Sequence, residues 1–153
     1  FMNFDLICKK EKFEWNERTL YGELFLVIEG HAFPGEGWID IISSVLIMWV
    51  ENLIGLLQSN LCDEKELFFM DGPFLFKVIG KGDEMVQIIL CKNFKKINEK
   101  TYEISFYNLL SEISKVIIDI NMDERLKEVK NVKELKEKYS RLKKIAKGKG
   151  YKI

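Results

Sequence analysis

Residues 37–57, GWIDIISSVLIMWVENLIGLL, decide the architecture, because they read as a helix too apolar to face water on any wide side. With Asp40 as origin and roughly 100° of rotation per residue, Asp40, Ser44, Glu51 and Gly55 form a narrow polar strip. Trp38, Ile42, Val45, Trp49, Leu53 and Leu56 lie opposite, and Ile47, Met48 and Ile54 flank or interrupt the strip. Such a helix lies against a sheet, with further elements partly covering its back. It approaches bilayer-spanning length, but Asp40, Glu51 and Asn52 would enter the hydrocarbon, so a core helix is expected and no membrane span.

Toward the N-terminus, Met2, Phe4, Leu6 and Cys8 alternate with Asn3, Asp5, Ile7 and Lys9, the period of a half-buried strand. Leu20, Gly22, Leu24, Leu26 and Ile28 share one face of a second strand, expected to pair with the first. His31–Gly37, HAFPGEG, has one proline and two glycines in seven residues and reads as a loop feeding the helix. The opening FMNFDLICKK has no basic run ahead of an apolar one and is not a signal peptide; Phe1 ahead of Met2 suggests Met2 as the native start.

On the other side, Leu67–Met70 is a short strand, and Asp71-Gly72 is the dipeptide of a type I′ hairpin, with Pro73 opening the returning strand. Phe74–Ile79, Met85–Cys91 and Thr101–Ser105 follow at short spacing, which implies an antiparallel meander. Ser105 is placed to cap a helix whose apolar positions are Phe106, Leu109, Leu110, Ile113, Val116, Ile117 and Ile120. Leu126, Val129, Val132, Leu135, Tyr139, Leu142 and Ile145 recur at three and four in a last helical region, with Asn131 and Glu134 spaced as a capping box. That single stripe would pack on the domain or on a second copy in a homodimer. The expected fold is α+β in the order ββαββββα, an antiparallel sheet of about six strands on the central helix, with one or two C-terminal helices.

Length and composition fit a globular body, residues 1–122, and a basic helical extension, residues 123–153, packed on the same domain. The net charge of zero hides a division: the extension carries 12 Lys or Arg against 5 Asp or Glu, and the body 12 against 19. The extension's lysines read as a solvated helix face, and the acidic body with no recognition motif makes nucleic acid an unexpected partner. Cys8, Cys62 and Cys91 include no CxxC pair, and Cys8 and Cys91 sit in strand-like runs, the pattern of buried free thiols in a reducing, cytoplasmic setting.

The search for chemistry finds few groups. His31 is the only histidine, so no multi-histidine metal site is expected. With Glu36 and Asp40 nearby in sequence it offers an acid–base arrangement, against the plainer reading of a loop histidine beside a helix start. Asp71 is a possible ligand group that the hairpin already explains. Gly80-Lys81-Gly82-Asp83 lacks the spacing and following helix of a phosphate loop and reads as a turn. No catalytic set, metal site or cofactor motif is expected, and Glu36, Asp40 and Asp71 stand as the candidates for partner binding.

FPGEGWID at 33–40, Trp49 within the apolar helix, and FFMDGPF at 68–74 together resemble small bacterial proteins, some of which are similar to immunity proteins of polymorphic or contact-dependent toxin systems. The resemblance spans Leu20 to Cys91 and carries over no binding residues. It implies a cytoplasmic protein that binds and blocks a toxin domain, a nuclease among the options, without catalysis or cofactor. The alternative expectation is a small ligand-binding domain or enzyme using the His31–Asp40 loop and Asp71.

Overall fold

Trp49 is fully buried in a computed structural model of the chain, with its ring edge-on to Phe69 at 5.3 Å and to Phe76 at 5.2 Å. The structure describes residues 2–153, so the reading of Phe1 lies outside the described residues. Six strands precede Trp49's helix: β1 (Phe4–Ile7), β2 (Glu14–Trp15), β3 (Leu20–Glu23), β4 (Phe25–Ile28), β5 (His31–Phe33) and β6 (Ile39–Asp40). After α1 (Ile42–Gln58) come β7 (Glu64–Phe68), β8 (Phe74–Gly80), β9 (Met85–Lys92), β10 (Lys95–Lys96) and β11 (Tyr102–Ser105). Two helices, α2 (Phe106–Asn121) and α3 (Lys130–Gly148), complete the described chain.

The fold is α+β, but its strands form three antiparallel sheets rather than one of about six strands. These are β1-β4-β5, β2-β3-β6, and β10-β9-β8-β7 with β11 also on β9. The division falls at Leu24. Alternation runs unbroken from Leu20 to Ile28, yet Leu24 N–H donates to Trp38 O, and the chain leaves β2 and β6 to join β1 and β5. Side-chain alternation fixes which face is buried; it does not fix which strand is the neighbour. The pairing of the two N-terminal segments holds, with Phe4 opposite Ile28 and Ile7 opposite Phe25.

Four local expectations change. His31–Phe33 is a strand, not a loop, turned back from β4 by Glu29-Gly30, both at positive φ. The helix begins at Ile42 rather than Gly37, which leaves Asp40 on β6. Asp71-Gly72 is not a type I′ turn. That geometry needs positive φ at both central residues, and only Gly72 has it, inside the longer connection Phe69–Pro73. The pattern appears instead at Asn93-Phe94, with φ of 52° and 64°, between β9 and β10. Finally, α3 starts after Val129 with no side-chain cap; Lys130 and Asn131 donate their N–H groups to the carbonyls of Glu17 and Arg18. A distant loop supplies what the Asn131 box was expected to supply.

Helix α2 matches its reading: Ser105 Oγ accepts from Asn108 N at 3.0 Å, and all seven predicted apolar positions are buried. On α3, Val132, Leu135, Tyr139 and Leu142 are buried within the same core as α1 and α2. The apolar stripe that could have met a second subunit is therefore covered by the chain itself. Among the described residues no helix is long and apolar enough to cross a membrane.

Candidate partner-binding surface

Asp40 is the candidate that the structure locates most sharply. It is 2% exposed, and its carboxylate is filled by three donors. Trp38 Nε1 donates to Oδ2 at 2.9 Å, Ile41 N to Oδ1 at 2.7 Å, and Met70 N to both oxygens at 3.2 and 3.1 Å. The charge also stands just ahead of the α1 N-terminus, where a negative group is favoured by the helix dipole. Asp40 thus ties the start of α1 to the β7–β8 connection, and its carboxylate is occupied by the fold.

That tie brings together two stretches far apart in sequence. Trp38 lies against Gly72 so closely that a Cβ there would be 3.1 Å from Cη2, and its ring meets Phe74 edge-on at 5.3 Å. Phe74 is further fixed by Phe33 at 5.6 Å and carries the Lys92 ammonium 5.8 Å from its centroid. The β9–β10 hairpin closes the other side, with Asn93 N donating to Pro73 O at 2.9 Å and the Phe94 ring 5.9 Å from Phe68. Phe68, Leu75 and Cys91 stand side by side on the sheet face away from α1, and Leu75 and Cys91 are buried there. Burial raises the Cys91 thiol above its usual range.

What emerges is a rigid rim on which Met70 is 44% and Phe94 64% exposed, with Asp71, Gly72 and Pro73 exposed between them and Trp38 half-buried. Two large apolar side chains, Met70 and Phe94, are thus exposed on an ordered backbone with the Asp71 carboxylate between them. Glu36 is exposed a short distance along the chain from Trp38, while His31 is exposed at the start of β5 opposite Ile28. Neither joins Asp40 or Asp71 through a hydrogen bond among the described residues. No three His, Cys, Asp or Glu side chains among the described residues group as a metal site.

Trp38, Met70 and Phe94 were missed as surface residues in the sequence. Trp38 and Met70 belong to apolar runs that read as core. Phe94 had a usable signal, a single aromatic within KNFKK, where a polar turn has no packing need for one. No family model, no curated protein and no solved structure matches this chain.

Proposed function

We propose that this chain is a non-catalytic, stoichiometric inhibitor of the immunity type, a cytoplasmic protein that binds and blocks a toxin domain, with a nuclease domain as the best fit. The observation that carries the reading is the rim itself. Met70, Asp71 and Phe94 are presented on a backbone locked by Asp40 and the Trp38–Phe74 pair, and the buried Asp40 carboxylate serves the fold. A preformed apolar patch loses little entropy on docking. The body's overall charge suits a basic partner, while Lys92, Lys95 and Lys96 beside Phe94 set the local charge of the rim. Nuclease clefts are basic because they gather phosphates, and the body's excess of seven carboxylates over residues 1–122 would draw such a cleft and speed encounter.

The test is titration of the purified chain against the product of the neighbouring gene. A 1:1 complex at micromolar concentration or tighter is expected, with association slowing as salt rises. Absence of a complex, together with toxin growth inhibition unchanged by co-expression, overturns the reading. His31→Ala is expected to be without effect; a loss of turnover by about 100-fold in any activity found would favour an enzyme instead.

A further inference from the structure

Helix α3 is sorted by charge in a way that its sequence total does not reveal. At roughly 100° per residue, Lys133, Lys136, Lys143, Lys144 and Lys147 fall within one arc of about 100°, and Ser140 is the other residue in it. Glu137 lies about 20° beyond the Lys144 edge of that arc and Glu134 about 80° beyond it. All five lysines are exposed, and from Lys133 to Lys147 they run along about 21 Å of helix at 1.5 Å per residue. Of the other cations of the extension, Lys138 is engaged with Glu51 at 2.7 Å, Arg125 with Asp123 at 2.8 Å, Lys127 with Glu124 at 3.7 Å and Lys149 Nζ with Asn60 Oδ1 at 2.7 Å, while Lys130, Arg141 and Lys152 have no carboxylate within 4.0 Å among the described residues. Within the arc Lys133 pairs with Glu128 at 3.1 Å, but Lys136, Lys143, Lys144 and Lys147 have no carboxylate within 4.0 Å among the described residues. This holds although the rest of the chain carries an excess of acid. At the C-terminal end Lys143 and Lys147 border a hollow of about 580 Å³ that Lys152 and Tyr151 complete.

The track is held stiffly. The buried face of α3 adjoins the arc, and the helix's first N–H groups are bonded to Glu17 and Arg18. Three kinds of polyanion meet such a surface. An anionic bilayer would attract the lysines but gain nothing from insertion, because the apolar side chains of α3 are in the core. An acidic protein would find no aromatic anchor in the arc, and lysine is depleted at protein interfaces. A nucleic-acid backbone requires neither: it takes cations along a line, and these five follow one another along the helix axis at steps of about 4.5, 10.5, 1.5 and 4.5 Å.

We propose that the Lys133–Lys147 face of α3 binds the phosphate backbone of a nucleic-acid duplex without reading its sequence. This is independent of the inhibitor reading, because α3's lysine arc includes none of the rim residues.

The experiment uses the full chain with fluorescein-labelled 20-base-pair DNA and RNA duplexes, read by anisotropy at about 50, 100 and 200 mM salt, with phosphatidylserine vesicles as a second probe. Engagement of four or five phosphates predicts that log K falls against log salt with a slope of about −4. Lys136→Glu, Lys143→Glu and Lys147→Glu together should weaken duplex binding at least tenfold and flatten that slope. The neutral triple change to Gln guards against a charge-reversal artefact and should weaken binding in the same direction, and circular dichroism should show the helix intact in both. Lys115→Glu on α2 should leave binding unchanged. DNA bound more tightly than RNA, or the reverse, identifies the source of the backbone and supports the inference. No binding at 50 mM salt, equal binding by a folded Gln triple variant, or vesicles preferred to both duplexes overturns it.

Discussion

The Asn108 side chain forms a two-way amide pair with the peptide of Phe4, 104 residues earlier: Phe4 N donates to Oδ1 at 2.9 Å, and Nδ2 donates to Phe4 O at 3.0 Å. β1 is an edge strand, and Glu112 Oε1 accepts from Leu6 N at 3.1 Å one helical turn further along α2. Helix side chains therefore stand where another strand would otherwise pair. Helix α1 does the same for edge strand β7, with Trp49 Nε1 donating to Phe68 O and Asn52 Nδ2 to Glu66 O.

Asn108→Ala removes both halves of the pair and leaves the Phe4 peptide groups part-buried without partners. A loss of about 1 to 3 kcal/mol is expected from urea unfolding. Hydrogen exchange at the Phe4 amide should accelerate by more than at β8, and equal acceleration at both would show that the pair does not act locally.

Trp49→Ala should cost about 3 to 5 kcal/mol, the range for truncating a large aromatic in a core. Trp49→Phe keeps much of the ring packing but leaves the Phe68 carbonyl unpaired, so a loss of about 1 to 3 kcal/mol is expected. A denaturation midpoint that ignores both changes would contradict the packing of α1 on β7 and β8.

Asp40→Asn places an amide NH2 where the carboxylate now faces donors from Trp38, Ile41 and Met70. Destabilisation by about 1 to 3 kcal/mol is expected, with the tryptophan emission shifting as Trp38 loses its acceptor. A variant as stable as the parent would return Asp40 to the list of free functional carboxylates.

Phe94 sits at φ 64° in the second position of its turn, a conformation that glycine adopts without steric cost. Phe94→Gly relieves the backbone while losing the contact with Phe68, so stability should stay within about 1 kcal/mol of the parent. Affinity for the protein partner should fall by about 30-fold, the mark of a hot-spot residue. Unchanged affinity would move the interface away from the rim.

Cys8 is held by burial, and then by Asp119 and Glu23, at a thiol pKa of about 12 against an ordinary 9.0. A group raised in the folded state keeps its proton while the unfolded chain releases it, so stability is fully present below pH 9 and declines from about pH 9 to about 12. A stability curve by urea across pH 8 to 11 should slope downward, and Cys8→Ser should lessen the slope. In the native protein at pH 8, a disulfide reagent should label the exposed Cys62 far faster than Cys8.

What could be read from sequence was what depends on neighbours along the chain. Ser105 and the apolar positions from Phe106 to Ile120 are such a case, because cap and face are both set within one helix. The burial pattern of β1 and β4 was legible for the same reason. The switch at Leu24 was not, since it rests on a bond to Trp38, nor was the start of α3, which rests on Glu17 and Arg18. Asp40 looked available because its donors from Met70 belong to a loop 30 residues away. The Asn93-Phe94 turn was hidden by a side chain that the turn does not favour.

The bond from the head of α3 to the Glu17–Arg18 loop also constrains the chain while it is being made. Those two carbonyls wait for partners 113 residues downstream, so at a ribosomal rate of about 5 to 20 residues per second the N-terminal hairpin stands incomplete for several seconds or more. During that interval the edge of β1 has no Asn108, and the nascent sheet is open to pairing with a neighbouring chain. Synthesis slowed before α2 should lower the soluble yield of this protein more than the same delay placed after α3.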